Sequence, residues 1–134
     1  MSWRLMHVGI AVRSVEKSSR LFSKLLGIPA GHAETVADQS VKTVFFPAGQ
    51  PSLELLEATG EDSAIASFLE RKGEGVHHLS FEVDDIEKEI LRLKIEGFTM
   101  VDEEARPGAG GARVAFVHPK STNGVLVELC QKKR

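Results

Sequence analysis

The chain has no tyrosine, a single tryptophan and a single cysteine. One cysteine, Cys130, excludes an internal disulfide and suits a reducing compartment. No run approaches the ~18–20 apolar residues that a membrane-spanning helix needs. The first residues show neither a signal-type apolar core nor an Arg/Ser-rich transit pattern. The expectation is a cytoplasmic protein with no membrane partner. A strong charge of either sign is also missing, since 17 Lys and Arg stand against 19 Asp and Glu for a net charge of −2. Nucleic-acid binders concentrate basic residues in one footprint. The one basic run here, Lys132-Lys133-Arg134, reads as a solvated tail. At 134 residues the chain has the size of one domain, taken as 1–134.

What is present is a repeat. Residues 7–17 read His-Val-Gly-Ile-Ala-Val-Arg-Ser-Val-Glu-Lys, and residues 78–88 read His-Leu-Ser-Phe-Glu-Val-Asp-Asp-Ile-Glu-Lys, 71 positions later. The His, the second Val, the Glu and the Lys are identical, and most other positions keep their polarity. Further on, Val44-Phe45-Phe46-Pro47 aligns with Phe116-Val117-His118-Pro119 at an offset of 72, and Ser52–Leu56 with Leu126–Cys130 at an offset of 74. A repeat of this length is an internal duplication. Each copy supplies one early histidine and one late glutamate: His7 with Glu54, and His78 with Glu128.

Hydrophobic periodicity gives the elements. Leu5–Val12 alternates with period two and predicts a strand. Ser14 is an N-cap, Val15, Ser18, Phe22 and Leu25 follow at helical spacing, and Gly27 ends the helix. Val41–Phe46 and Ser52–Glu57 form a strand pair across the connector Pro47-Ala48-Gly49-Gln50-Pro51. A linker, Thr59–Gly75, carries a short helix with Ile65, Phe68 and Leu69 on one side. The second copy repeats the plan: a strand over Val76–Val83, Asp85 as N-cap, an apolar stripe of Ile86, Ile90 and Leu93, and Gly97 as the stop. A short strand over Phe98–Val101, a mobile loop over Pro107–Gly111 and a final pair, Arg113–His118 with Val125–Cys130, complete it. The plan is α+β: two tandem βαβββ modules, about 5–58 and 76–131, forming a curved mixed sheet around a cavity.

Strand parity locates the polar residues. Neighbouring side chains of a strand point to opposite faces. If Val8, Ile10 and Val12 pack under the helix, His7, Gly9 and Ala11 face away from it; likewise Leu79, Phe81 and Val83 leave His78, Ser80 and Glu82 on the other face. Leu53 and Leu55 bracket Glu54, and Val127 and Leu129 bracket Glu128. All four polar residues fall on the face opposite the helices, where Gly9, Ala11 and Ser80 leave room. Two carboxylates in such a cavity repel and must be paired or protonated. A divalent cation resolves this, and imidazole with carboxylate donors suits zinc, manganese, cobalt, nickel or iron(II). His77 has the wrong parity and faces outward; His32 and His118 lack matching partners and take loop or rim positions.

The doubled plan, together with Leu53-Glu54-Leu55-Leu56-Glu57, the run Phe68–Leu79 and the run Phe116–Leu129, resembles the vicinal oxygen chelate superfamily, the glyoxalase/bleomycin-resistance fold. The stretch His118-Pro119-Lys120-Ser121 before the last strand is most similar to the methylmalonyl-CoA epimerase family. The resemblance implies one divalent ion (cobalt, manganese, nickel, zinc or magnesium) held by His7, Glu54, His78 and Glu128. It implies inversion at C2 of methylmalonyl-CoA, with Glu128 and Glu54 as the proton-transferring carboxylates. It also implies a homodimer and an acyl-CoA partner whose phosphates Lys120 meets. Some family members carry a glutamate on the strand matching Val41–Phe46, where this chain has Thr43 beside Lys42.

Two other readings share parts of this pattern. A glyoxalase I-type lyase acting on a glutathione hemithioacetal uses the same donor set, but lacks the His118–Ser121 motif and needs a basic cluster that is not recognisable here. A metal-free, drug-sequestering module lines its cleft with aromatics and dispenses with the four donors. An extradiol iron dioxygenase needs two histidines and a single carboxylate.

Overall fold

The computed structural model describes residues 3–47 and 51–133. Of the expected connector, Ala48–Gln50 lie outside the described residues, as does Arg134 of the basic run. Eight strands and three α-helices are present among the described residues: β1 (Arg4–Ala11), α1 (Val15–Leu26), β2 (Ala33–Val36), β3 (Val41–Phe46), β4 (Ser52–Ala58), α2 (Ala64–Lys72), β5 (Gly75–Glu82), α3 (Ile86–Ile95), β6 (Arg106–Pro107), β7 (Arg113–Val117) and β8 (Val127–Gln131). No described helix is long and apolar enough to cross a membrane. The chain divides into two compact units, residues 7–77 and residues 3–6 with 78–133.

In the first unit the strand order is β2-β3-β4-β1. β1 runs parallel to β4, and the other neighbours are antiparallel. Ser14 accepts from the Lys17 N–H and starts α1, and Gly27 ends it in the left-handed conformation (φ 71°), which costs glycine nothing. One face of this sheet packs on α1: Ile10, Val12, Val44, Phe46, Leu53 and Leu55 meet Val15, Phe22 and Leu26. Leu25, expected in that stripe, lies outside at 72% exposure. At 3.6 residues per turn Leu26, not Leu25, continues the line from Val15 through Phe22. β2 is an element that periodicity did not reveal: four residues at an edge, paired only with β3, carry too few side chains to show a pattern.

The second unit repeats this arrangement in the order β5-β8-β7-β6, with β5 parallel to β8. Asp85 caps α3 by accepting from the Lys88 N–H, and Ile86, Ile90 and Leu93 pack with Val83, Ala115, Val117 and Leu129. The expected strand over Phe98–Val101 reduces to one bridge, Met100 to Val117. The chain leaves the ladder there because the Asp102 carboxylate, instead of a strand carbonyl, accepts the Phe116 N–H at 2.8 Å. The edge strand is β6, paired with β7. The segment Pro107–Gly111, expected as a mobile loop, contributes to β6 and a 3-10 turn over Ala109–Gly111, closed by the Gly108 N–H donating to Ala112 O at 2.9 Å.

Register corrects the internal alignment by one residue. Phe45 lies opposite Glu54 on β3 and β4, and Phe116 lies opposite Glu128 on β7 and β8. Phe45, not Val44, is therefore the counterpart of Phe116, at the offset of 71 that also relates the histidines. The apolar run Val44-Phe45-Phe46 is too uniform in polarity to fix a one-residue slip. The structure fixes it, because the slip moves every side chain to the other face.

Candidate functional site

β1 and β4 bring the first pair together. Gly9 is the register partner of Glu54, so His7, two residues earlier, stands on the same face of the neighbouring strand. His7 Nε2 lies 3.0 Å from Glu54 Oε1, and both residues are 5% exposed. The Phe45 ring meets the His7 ring edge-on, with centroids 5.6 Å apart and planes at 80°.

The second unit builds the same constellation. Ser80 is the register partner of Glu128, and His78 stands two residues earlier on β5. His78 Nε2 lies 3.6 Å from Glu128 Oε1, beyond hydrogen-bond distance, and both are buried. The Phe116 ring meets His78 edge-on at 5.7 Å and 89°. Each unit thus holds one imidazole nitrogen beside one carboxylate oxygen, walled by a phenylalanine and shielded from water. A buried carboxylate needs a compensating charge or hydrogen bonds. Nitrogen and oxygen donors of this kind fit a divalent transition ion or zinc. Phe45 and Phe116 were not singled out as site residues by sequence; with the offset of 71 applied to both, they stand as a third matched position beside the His and Glu repeats.

The other residues singled out by sequence take structural places. His118 caps the 3-10 turn Pro119–Ser121, its Nδ1 accepting from the Lys120 N–H at 3.0 Å. Ser121 Oγ accepts from the Thr99 N–H at 2.9 Å. The His-Pro-Lys-Ser run therefore shapes the turn that leads into β8, and the Lys120 side chain extends from it, exposed. His32 is exposed, with Nε2 3.2 Å from Glu34 Oε1. His77 is half-buried, with its ring edge-on to Phe68 of α2 at 5.0 Å. Thr43 is buried and its hydroxyl donates to Glu34 O at 3.4 Å. Cys130 is buried opposite Val114, in the position of a core residue.

A βαβββ unit written twice, with a buried His–Glu pair on the same face of each copy, defines a class of duplicated folds built around paired polar residues. The comparisons with known proteins agree. The family model of the glyoxalase/bleomycin resistance protein/dioxygenase superfamily matches residues 6–116. The human mitochondrial methylmalonyl-CoA epimerase is 41% identical over 129 residues, covering 96% of this chain and 73% of that protein. The ethylmalonyl-CoA/methylmalonyl-CoA epimerase of Cereibacter sphaeroides is 40% identical over 133 residues, covering 98% and 99%. The crystal structure of methylmalonyl-CoA epimerase from Mycobacterium tuberculosis superposes with a TM-score of 0.92 at 33% identity, covering 98% of this chain and 89% of that one. The chain belongs to the glyoxalase/bleomycin resistance protein/dioxygenase superfamily.

Proposed function

We propose that this chain, as one domain over 1–134, is a metal-dependent epimerase that interconverts the 2R and 2S forms of methylmalonyl-CoA. The observation that carries the reading is the recurrence of a buried His–Glu pair at matched register in both units. The likeness to relatives named as epimerases supplies the substrate class.

In this reading His7, Glu54, His78 and Glu128 together hold one divalent cation, of the cobalt, manganese, nickel, zinc or magnesium group. When bound, the ion supplies Lewis acidity toward the thioester and carboxylate oxygens of the substrate. The C2 proton is acidic because it lies between those two carbonyl groups. Glu128 takes it from one side, and Glu54, its counterpart in the other module, returns a proton to the opposite side. Both carboxylates are buried, so competing protonation by bulk water is suppressed. Phe45 and Phe116 limit the rotation of the two imidazoles and keep each Nε2 toward its carboxylate. Lys120, exposed on its turn, is assigned to the CoA phosphates. The homodimer and the cytoplasmic setting rest on family resemblance and on the lone cysteine; light scattering of the purified protein tests the first.

Incubation with methylmalonyl-CoA in deuterated water tests the reading. Protein loaded with cobalt or manganese is expected to wash deuterium into C2. No exchange with any of the five metals removes the epimerase assignment, and turnover of methylglyoxal with glutathione in its place makes the chain a glyoxalase I-type lyase.

A further inference from the structure

Ser80 is a buried polar residue that the proposed chemistry leaves unused. It lies on β5 between His78 and Glu82, on the face that carries His78, and it is 0% exposed. Among the described residues its hydroxyl has no hydrogen-bond partner. A buried hydroxyl left without a partner is destabilising, so the site is organised for an acceptor to meet it. The register names the nearest carboxylate: Ser80 and Glu128 are paired residues of the adjacent parallel strands β5 and β8, with side chains on one face. In the first module the matching register partner of Glu54 is Gly9, which has no side chain to donate.

We propose that Ser80 is a positioning residue whose hydroxyl donates to the Glu128 carboxylate when that carboxylate serves a divalent cation. The inference rests on the metal-site reading above. A carboxylate that gives one oxygen to a cation keeps lone pairs on the other. A donor there fixes its rotation and leaves the first oxygen directed at the ion. The second module then grips by a ligand held from behind by Ser80, where the first module has Gly9 at the matching position.

The test uses manganese(II) alone as probe, with free ion measured by electron paramagnetic resonance. Wild type, Ser80→Ala and Ser80→Thr are titrated, and each metal-free protein is melted. Loss of a hydrogen-bonding group behind a metal ligand weakens affinity by about 10- to 100-fold. Ser80→Ala is expected to show that loss, Ser80→Thr to recover most of it, and the metal-free melting temperature of Ser80→Ala not to fall. Equal manganese affinity in wild type and Ser80→Ala overturns the Ser80 assignment and leaves the metal site standing. So does a Ser80→Thr protein as weak as Ser80→Ala, which makes the residue a matter of packing. If wild type itself takes up no manganese, and metal analysis after exposure to cobalt and to zinc shows neither bound, the underlying metal reading fails first. Should Ser80→Ala not fold, Ser80→Cys keeps the shape with a weaker donor, and wild-type affinity in that variant overturns the assignment equally.

Discussion

The two modules are alike in what holds the polar pair and different in what surrounds it. In both, a histidine on the first strand faces a glutamate on the last, and a phenylalanine opposite that glutamate walls the imidazole. In both, the residue three positions after the glutamate reaches the helix start: Glu57 Oε1 accepts the Val15 N–H and Gln131 Oε1 accepts the Ile86 N–H, each at 2.8 Å. In each module the strand that carries the carboxylate is thereby tied to the start of its own helix. The differences lie beside this frame. Gly9 is replaced by Ser80, Thr43 by Val114, and the His–Glu distance opens from 3.0 to 3.6 Å. Edge charge reverses, since Glu34 lies opposite Thr43 and Arg106 opposite Val114. Duplication has kept the parts that hold each His–Glu pair and changed the residues beside it.

Removing one imidazole from each module in turn gives the largest effect and the sharpest break in the comparison. If both modules serve one ion, His7→Ala and His78→Ala each abolish near-stoichiometric metal content and lower deuterium exchange by about 10³-fold or more, some 4 kcal/mol of barrier. Metal analysis beside the exchange assay decides it. A His7→Ala protein with full metal and full exchange would mean that the second module works alone.

The repeat made much of this readable in advance. His7, Glu54, His78 and Glu128 were legible because alternation assigns a face to every strand residue and the duplication repeats the assignment. Both helix starts were legible from Ser14 and Asp85, whose side chains compete well for the first free N–H groups. What stayed hidden depends on partners distant in the chain. β2 is recognisable only through its pairing with β3, and the Asp102 carboxylate replaces a strand where apolar residues suggested one. The place of Phe45 beside His7 needed the strand register, because a stretch of consecutive apolar residues does not report its own phase. His118 looked like a family mark and is in place a cap, which a sequence motif alone does not distinguish from a ligand contact.

The helix ties give the intermediate effect. Glu57→Ala and Gln131→Ala each leave a helix N–H without its acceptor, at a cost of about 0.5–2 kcal/mol in denaturant unfolding. Glu57 is the stronger of the two, because an ionised acceptor makes a stronger hydrogen bond and also meets the positive end of the helix dipole. A larger loss from Gln131→Ala would show that charge at the helix start is irrelevant here and that the two ties differ through packing instead.

The smallest effect concerns the same helix position in each copy. Glu16 pairs within α1, with Arg20 Nη1 3.1 Å from its Oε1. Glu87 instead crosses from α3 to Arg113 on β7. The hydrogen bond from Arg113 holds the Glu87 carboxyl below its usual range, and the partnership raises Arg113 further above neutrality, where it is charged in any case. A lowered carboxyl contributes stability above its unfolded pKa and loses it as pH falls through the lowered value. Wild type is therefore expected to exceed Glu87→Gln in stability at pH 7, with the gap closing on acidification below the ordinary glutamate range. Solvent screening keeps that gap under about 1 kcal/mol. Glu16→Gln, which cuts a pair confined to one helix, is expected to change less. Thermal melts of the two variants across pH, at low and high salt, decide it. A gap for Glu87→Gln that persists at acid pH would assign the effect to shape at the helix surface, and the ion pair between α3 and β7 would carry none of it.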